Sequence, residues 1–341
     1  MKCYIVVGVT GSGKSNIIKM IKNENKETEF TSLIVDDMLT SNSAYKQDVN
    51  NILQKRGITT NNSKNTMRNK INKDYYNNFE KAYWKARKSK GCEVNINPIN
   101  NDNGINSECT KDDKTGYYYK KTDIKSQLGC DKKFDNMLFN SICRNRGIIY
   151  ENTGRNYNSF EWIFKYLTNY TINIYFTFLN DIDKLYDRNV ERGIENTIEY
   201  LKNKNKFAPR FPKVNKILIA ETYLGYLNTV KDTIEKIKEL NNEKIKLRFY
   251  NTDVKKGNDA ILITEKELQI GNLIDTYTKE LNKLKLIDII AKRKINRNIQ
   301  PNGLTLRKRK NMNKTKVLKR KSTKSKFKRR GNYLKNMFKY F

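Results

Sequence analysis

The stretch Gly8-Val9-Thr10-Gly11-Ser12-Gly13-Lys14-Ser15 follows an apolar run, Lys2 to Val7, and precedes the spaced isoleucines Ile17, Ile18 and Ile21. It satisfies the pattern GxxxxGK[ST] at every fixed position. Glycines let the backbone turn so tightly that successive N–H groups point inward at an anion. A helix beginning near Lys14 brings the positive end of its dipole to the same place. In this pattern the lysine reaches the β- and γ-phosphates of a nucleotide, and the Ser15 hydroxyl ligates Mg²⁺. The setting agrees. Lys2 to Val7 reads as a short buried strand with β-branched residues and a glycine stop, and Asn16 to Lys22 carries helical spacing. All eight residues, Gly8, Val9, Thr10, Gly11, Ser12, Gly13, Lys14 and Ser15, are expected to bind ATP.

Outward from this loop the same alternation continues. Leu33 to Val35 reads as a second short buried strand, ended by the pair Asp36-Asp37. Tyr75 to Lys88 predicts a helix whose Tyr76, Phe79, Tyr83 and Trp84 form a core-facing stripe. Gly91 to about Lys133 is polar, without a clear period, and reads as an inserted loop or small lobe. Further elements are a helix over Phe134 to Cys143, a strand over Gly147 to Tyr150 and a helix over Ser159 to Leu167. Then come a strand over Ile172 to Leu179, a helix over Asp181 to Glu191 and a long helix over Val214 to Leu240. Lys244 to Tyr250 and Ala260 to Thr264 read as strands, and Glu265 to Ile290 as a helix. Strands alternating with helices of this length give an α/β fold with a mainly parallel sheet flanked by helices, here of the P-loop NTPase kind.

The charge is concentrated at one end. The 341 residues carry 69 Lys and Arg against 36 Asp and Glu, a net +33. About twenty of the basic residues, and no acidic one, lie between Ala291 and the C-terminus. Residues 1–290 are therefore read as the folded domain and 291–341 as a basic, disordered tail. Such a tail suits nucleic acid or another polyanion, and the nucleus as well as the cytoplasm. The closing Tyr333, Leu334, Met337, Phe338, Tyr340 and Phe341 have the spacing of a short amphipathic helix. Five scattered cysteines without a CxxC pair suggest a reduced, intracellular chain with no disulfide framework. No run approaches the roughly 20 apolar residues of a membrane span, and no signal peptide is visible. Histidine is absent, so any general base must be Asp, Glu, Lys or Tyr.

The glycine loop specifies nucleotide but not its fate, and other residues bear on that. No guanine-reading NKxD and no strand ending in Asp-Glu occupies a suitable position, which argues against a GTPase or a motor ATPase. Asp36 and Asp37 follow the second strand at the edge where an acceptor would sit. Either could take the proton from an acceptor hydroxyl or anchor the Mg²⁺ shell, or the two could simply cap the next turn. The strand at Gly147 to Tyr150 runs into Glu151-Asn152-Thr153-Gly154-Arg155, where Glu151, Thr153 and Arg155 are candidates for holding the acceptor. Arg188 and Arg192, at i and i+4, and Arg210 in Ala208-Pro209-Arg210 are candidates for neutralising charge on a transferred phosphoryl group.

Taken together these segments resemble the zeta toxin family of P-loop kinases. The order is alike: the glycine loop, an Asp after the second strand, E-x-T-G-R at 151–155, an Arg near a helix end at Glu191-Arg192, and A-x-R at 208–210. Leu247-Arg-Phe-Tyr-Asn251 is similar to the family's closing strand. The resemblance covers roughly Met1 to Thr264, apart from the polar insertion. It implies ATP and Mg²⁺ as cofactors, Asp37 or Asp36 as general base, Lys14 as the phosphate lysine and Arg192 and Arg210 as charge clamps. It also implies transfer of the γ-phosphate to a hydroxyl acceptor of nucleotide-sugar type. The family spaces its carboxylates as D-x-D, so the adjacent pair here leaves the choice of base open. A basic tail is not part of the pattern. A polynucleotide or nucleoside kinase, or a nucleotide-binding protein that associates with nucleic acid without transfer, would share much of the same layout.

Overall fold

In a computed structural model, the described residues are 1–70, 73–88, 109–111, 118–120, 130–157, 164, 167–210, 215–254 and 259–298. The chain divides into two compact units, Met1–Ile290 and Ala291–Phe341. Of the second, only the end of a helix reaching Asn298 lies within the described residues. The tail beyond it, the expected helix over Ser159 to Leu167 except residues 164 and 167, and most of the polar insertion lie outside them.

Strand β1 (Lys2–Val7) forms the middle of the sheet because it is buried on both faces. Its Cys3, Ile5 and Val7 point into the larger core, while Tyr4 and Val6 point into a smaller one shared with Ile17, Ile18 and Ile21 of helix α1 (Lys14–Glu24). Strand alternation and the i, i+1, i+4 spacing of the isoleucines thus meet across one interface. The sheet order is β2 (Phe30–Leu33), β5 (Gly147–Asn152), β1, β6 (Thr171–Phe178), β7 (Ile245–Asn251) and β8 (Ile261–Ile263). All pairings are parallel except β7 with the edge strand β8. From β1 the chain moves to one side, for β2 and β5, and then to the other. The carboxyl end of β1 is therefore a topological switch point, the place where open α/β sheets bind ligands.

Several expectations change. The second strand is Phe30–Leu33, and Asp36-Asp37 lie in the first turn of helix α2 (Val35–Thr40) rather than at a strand end. Acids are favoured at the positive start of a helix, which accounts for the shift. Two unread helices follow, α3 (Ser43–Lys55) and α4 (Lys64–Lys70), and the aromatic helix is α5 (Lys73–Arg87). In the insertion, β3 (Cys109–Lys111) and β4 (Tyr118–Lys120) pair antiparallel, with β4 against helix α6 (Cys130–Cys143). A disulfide joins Cys109 to Cys143, with Cα atoms 5.7 Å apart. This corrects the expectation of a chain without disulfides; the hairpin returns Cys109 to the end of α6 despite a sequence separation of 34. Cys3 is free and buried.

Helix α7 (Ile182–Lys202) runs past Glu191 because Val190, Gly193, Ile194 and Thr197 continue its buried stripe. Helix α8 (Lys216–Leu240) crosses the larger core. After β8, Gln269 adopts a left-handed conformation (φ 43°) that separates a short turn, α9 (Glu265–Leu268), from α10 (Ile270–Asn298). The last helix thus extends beyond Ala291, where the disordered tail is expected to begin. No described helix is long and apolar enough to cross a membrane.

Candidate functional site

The Gly8–Ser15 loop leaves the carboxyl end of β1. Gly11 and Gly13 take φ of +89° and +83°, a region that side chains rarely enter. Gly8 is required for another reason, since a Cβ there would lie 2.0 Å from Thr177 Oγ1 and 2.4 Å from Ser12 Oγ. Side chains from three other elements fasten the loop. Ser12 and Thr177, on β6, share a hydroxyl hydrogen bond of 2.7 Å. Thr252, just after β7, donates to the Ser12 carbonyl at 2.8 Å. Asn189, on α7, donates through Nδ2 to the Thr10 carbonyl at 3.2 Å. Helix α1 starts at Gly13 without a side-chain cap and with no acid in its first turn. Its leading N–H groups and positive end therefore suit an anion. Ser15 is exposed at this helix start.

Lys14 is 7 % exposed. Its ammonium donates to the carbonyls of Gly8 (2.7 Å) and Val9 (3.1 Å) and lies 3.5 Å from Glu151 Oε1. Burial pulls its pKa below the usual lysine range; Glu151 opposes that, while Arg192 and Arg210 add to it. A buried cation held by two carbonyls and one carboxylate, with two more cations acting on it, favours incoming negative charge.

Glu151 arrives on β5, the direct neighbour of β1, with Val6 opposite Glu151 in the register. Beyond it the chain is locked by Gly154 (φ +63°), where a Cβ would stand 2.5 Å from Val7 Cγ1 and 2.8 Å from Tyr226. Asn152 Oδ1 accepts from the Gly154 N–H at 2.7 Å. Gly225 of α8 lets the Arg155 carbonyl approach, and a Cβ there would be only 2.9 Å from it. Arg155 consequently faces a cleft of about 170 Å³ lined also by Val9, Thr10, Tyr83, Asn189 and Arg210. Thr153 is exposed and is not among the residues lining that cleft.

The two aspartates have different surroundings. Asp36 is ion-paired with Arg210 and accepts from the Tyr83 hydroxyl at 3.2 Å. Arg210 also lies over the Tyr83 ring, 4.8 Å from its centre. Burial pushes the guanidinium down to about 10, so it stays cationic at neutral pH. Its segment is held because Ala208 N–H donates to Thr40 O and Tyr45 OH donates to Pro209 O. Asp37, by contrast, is exposed. Partial desolvation, then Glu151, raise its pKa, with Arg192 and Lys22 opposing. Arg192 is exposed and acts on both Lys14 and Asp37. Arg188 turns instead to the Thr252 carbonyl at 3.2 Å, supporting the loop behind the site.

No family model, curated protein or solved structure matches this chain. The site therefore stands on its geometry and on the motif order. That geometry gathers Lys14, Glu151, Asp37, Asp36, Arg192, Arg210 and Arg155 around one sheet edge. Thr177, Asn189, Thr252, Tyr83 and Gly225 belong to the arrangement as well, and the sequence alone did not single them out. Tyr83 carried a signal as part of the aromatic stripe; the threonines and Gly225 carried none.

Proposed function

We propose that this chain is an ATP-dependent phosphotransferase of the zeta-toxin-like P-loop kinase kind, moving the γ-phosphate of ATP to a hydroxyl of a small acceptor. The observation that carries this reading is the meeting of Lys14, from the glycine loop, with Glu151, from the neighbouring strand, at 3.5 Å. An anion-binding loop alone suits many nucleotide-binding proteins. A loop whose buried lysine touches a carboxylate and lies within the field of Arg192 and Arg210 suits phosphoryl transfer, where positioning and charge neutralisation supply most of the catalysis.

In this reading the N–H groups of residues 11–15 hold the β- and γ-phosphates. Lys14 leaves the carbonyls of Gly8 and Val9 for phosphate oxygens. Mg²⁺, held through Ser15, would neutralise charge on the same phosphates. Asp37 is the better placed base, because Asp36 is already engaged by Arg210 and Tyr83. Its raised pKa makes it a stronger proton acceptor while ionised. It takes the proton of the acceptor hydroxyl as that oxygen bonds to the γ-phosphorus and the bond to the ADP oxygen breaks. Arg192 and Arg210, the two arginines that act on Lys14, neutralise the developing charge, and Arg155 and Glu151 orient the acceptor.

The test is transfer from γ-labelled ATP, with Mg²⁺, to a pool of nucleotide sugars, nucleosides and 5′-hydroxyl oligonucleotides. We expect label on a small acceptor and none with Lys14→Ala. Labelling that survives in Lys14→Ala, or ATP binding without transfer to any member of the pool, would overturn the reading. Label confined to the oligonucleotides would move the acceptor to the polynucleotide class.

A further inference from the structure

We infer that the outer face of helix α10 around Leu286 and Ile290 is a docking surface for an anionic lipid membrane. In its first half this helix is held to the body by one stripe. Tyr277 and Leu281 are buried, Tyr277 packs on Tyr223 with ring centres 4.5 Å apart, and Lys285 pairs with Glu221 at 2.9 Å. Leu286 and Ile290 come nine residues after Tyr277 and Leu281, which on an α-helix is the opposite side. That side is open: Leu286 is 58 % exposed, Ile287 53 %, Ile289 46 % and Ile290 44 %. Among the described residues, no other helix exposes more than one large apolar side chain. Four together mark an interaction surface.

The charges around this face select its partner. Lys279 and Lys283, seven residues before Leu286 and Ile290, stand on the same side and are exposed. One acid, Glu280, stands seven residues before Ile287. Asp288, the last acid of the chain, comes seven residues after Leu281 and so belongs to the packed side. The sequence that follows, from Ala291 to the C-terminus, adds about twenty Lys and Arg and no acid. A nucleic acid would satisfy these cations but would set phosphates against aliphatic side chains. A second copy would cover the aliphatic side chains but bring together two chains of net +33. An anionic bilayer meets both needs. Aliphatic groups enter the acyl boundary while lysine stems reach back to the headgroups. The helix lies on such a surface and does not span it, since no described helix is long and apolar enough to cross.

The test is co-sedimentation of the full chain, free of nucleic acid, with phosphatidylcholine vesicles made with and without phosphatidylserine. We expect binding to the phosphatidylserine vesicles alone. The triple variant Leu286→Gln, Ile287→Gln, Ile290→Gln should lose about tenfold or more in partitioning, because apolar insertion and charge attraction act together. Its denaturation midpoint should stay unchanged, the three side chains being already in water. In a second variant, Ile287→Trp, emission should move to shorter wavelength on adding those vesicles, beyond any shift of the native chain. Should the midpoint of the triple variant fall, this emission decides alone. Full binding by the triple variant would overturn the inference and leave the basic sequence as the anchor. An unshifted emission in Ile287→Trp would overturn it too, as would no binding to phosphatidylserine vesicles. A concentration-dependent dimer of the native chain that the triple variant lacks would assign the face to a second copy instead.

Discussion

Lys14 and Glu151, separated by 137 positions in the sequence, meet at 3.5 Å because the strand that leads into the glycine loop and the strand that carries Glu151 are hydrogen-bonded neighbours in the sheet. Each accounts for the state of the other. The lysine is desolvated, and the carboxylate beside it opposes the effect of burial on its charge.

Lys14→Met should therefore lower transfer by about 10²- to 10³-fold, the usual effect of losing one preorganised charge at a phosphoryl site. Its fold should lose about 1–3 kcal/mol, because Glu151 and the carbonyls of Gly8 and Val9 are left without their donor while a desolvated cation is removed. Single-turnover transfer and urea denaturation, run side by side, would check both halves. A large loss of stability with little loss of transfer would contradict the role given to Lys14.

Asp36→Asn and Asp37→Asn should separate. We expect Asp37→Asn to abolish the acid limb of the kcat/KM profile together with most of the activity. Asp36→Asn, which removes the counter-charge of Arg210, should act mainly through KM. The sign for stability is also defined. A carboxyl whose folded pKa is raised favours the fold below its unfolded value, and that contribution is lost as pH rises through the folded value. At neutral pH, Asp37→Asn should leave the fold as stable as the native chain or slightly more so. Equal, mild losses of activity in the two variants would reduce both residues to helix-start acids.

Gly154→Ala should destabilise by about 2–4 kcal/mol, from a left-handed φ combined with overlap on Val7 and Tyr226. The conservative change Gly271→Ala, where an added Cβ meets nothing within 4 Å, is the control. Denaturant midpoints of the two variants give the comparison.

Reduction should matter for a chain first read as disulfide-free. Opening the Cys109–Cys143 link frees a loop of 34 positions. In the chain-entropy view this costs roughly 3–4 kcal/mol. Non-reducing peptide mapping would detect the link, and a lower unfolding midpoint in dithiothreitol would measure its effect. An unchanged midpoint would mean that the hairpin adds nothing to the stability of α6.

How much of this was legible varies with the kind of signal. The step from β1 through the glycine loop to α1 was readable because three local patterns agree over a short span. Glu151 to Arg155 was readable as a strand end followed by a glycine turn. The second strand is read too late in the chain because Phe30–Leu33 has a half-polar strand face, so the apolar Leu33-Ile34-Val35 looks like the strand itself. Helix α3 did carry a signal, Tyr45, Val49 and Leu53 at four-residue spacing, buried as that spacing implies. The surrounding Asn and Lys obscured it. Thr177, Asn189 and Thr252 could not be read, since each acts on the loop from a distant element through one hydroxyl or amide. The disulfide was hidden for a similar reason, its partners being brought together only by the hairpin.

Gly225 has a consequence of a different kind. Because α8 carries no side chain where it meets the Arg155 carbonyl, the distance between helix and loop is already at its minimum, and even a methyl group at 225 would have to push the loop away. The width of the cleft is thus gauged by a residue that never meets its occupant. Enlarging that position gives a way to retune which molecules fit while leaving every side chain that would touch them as it is.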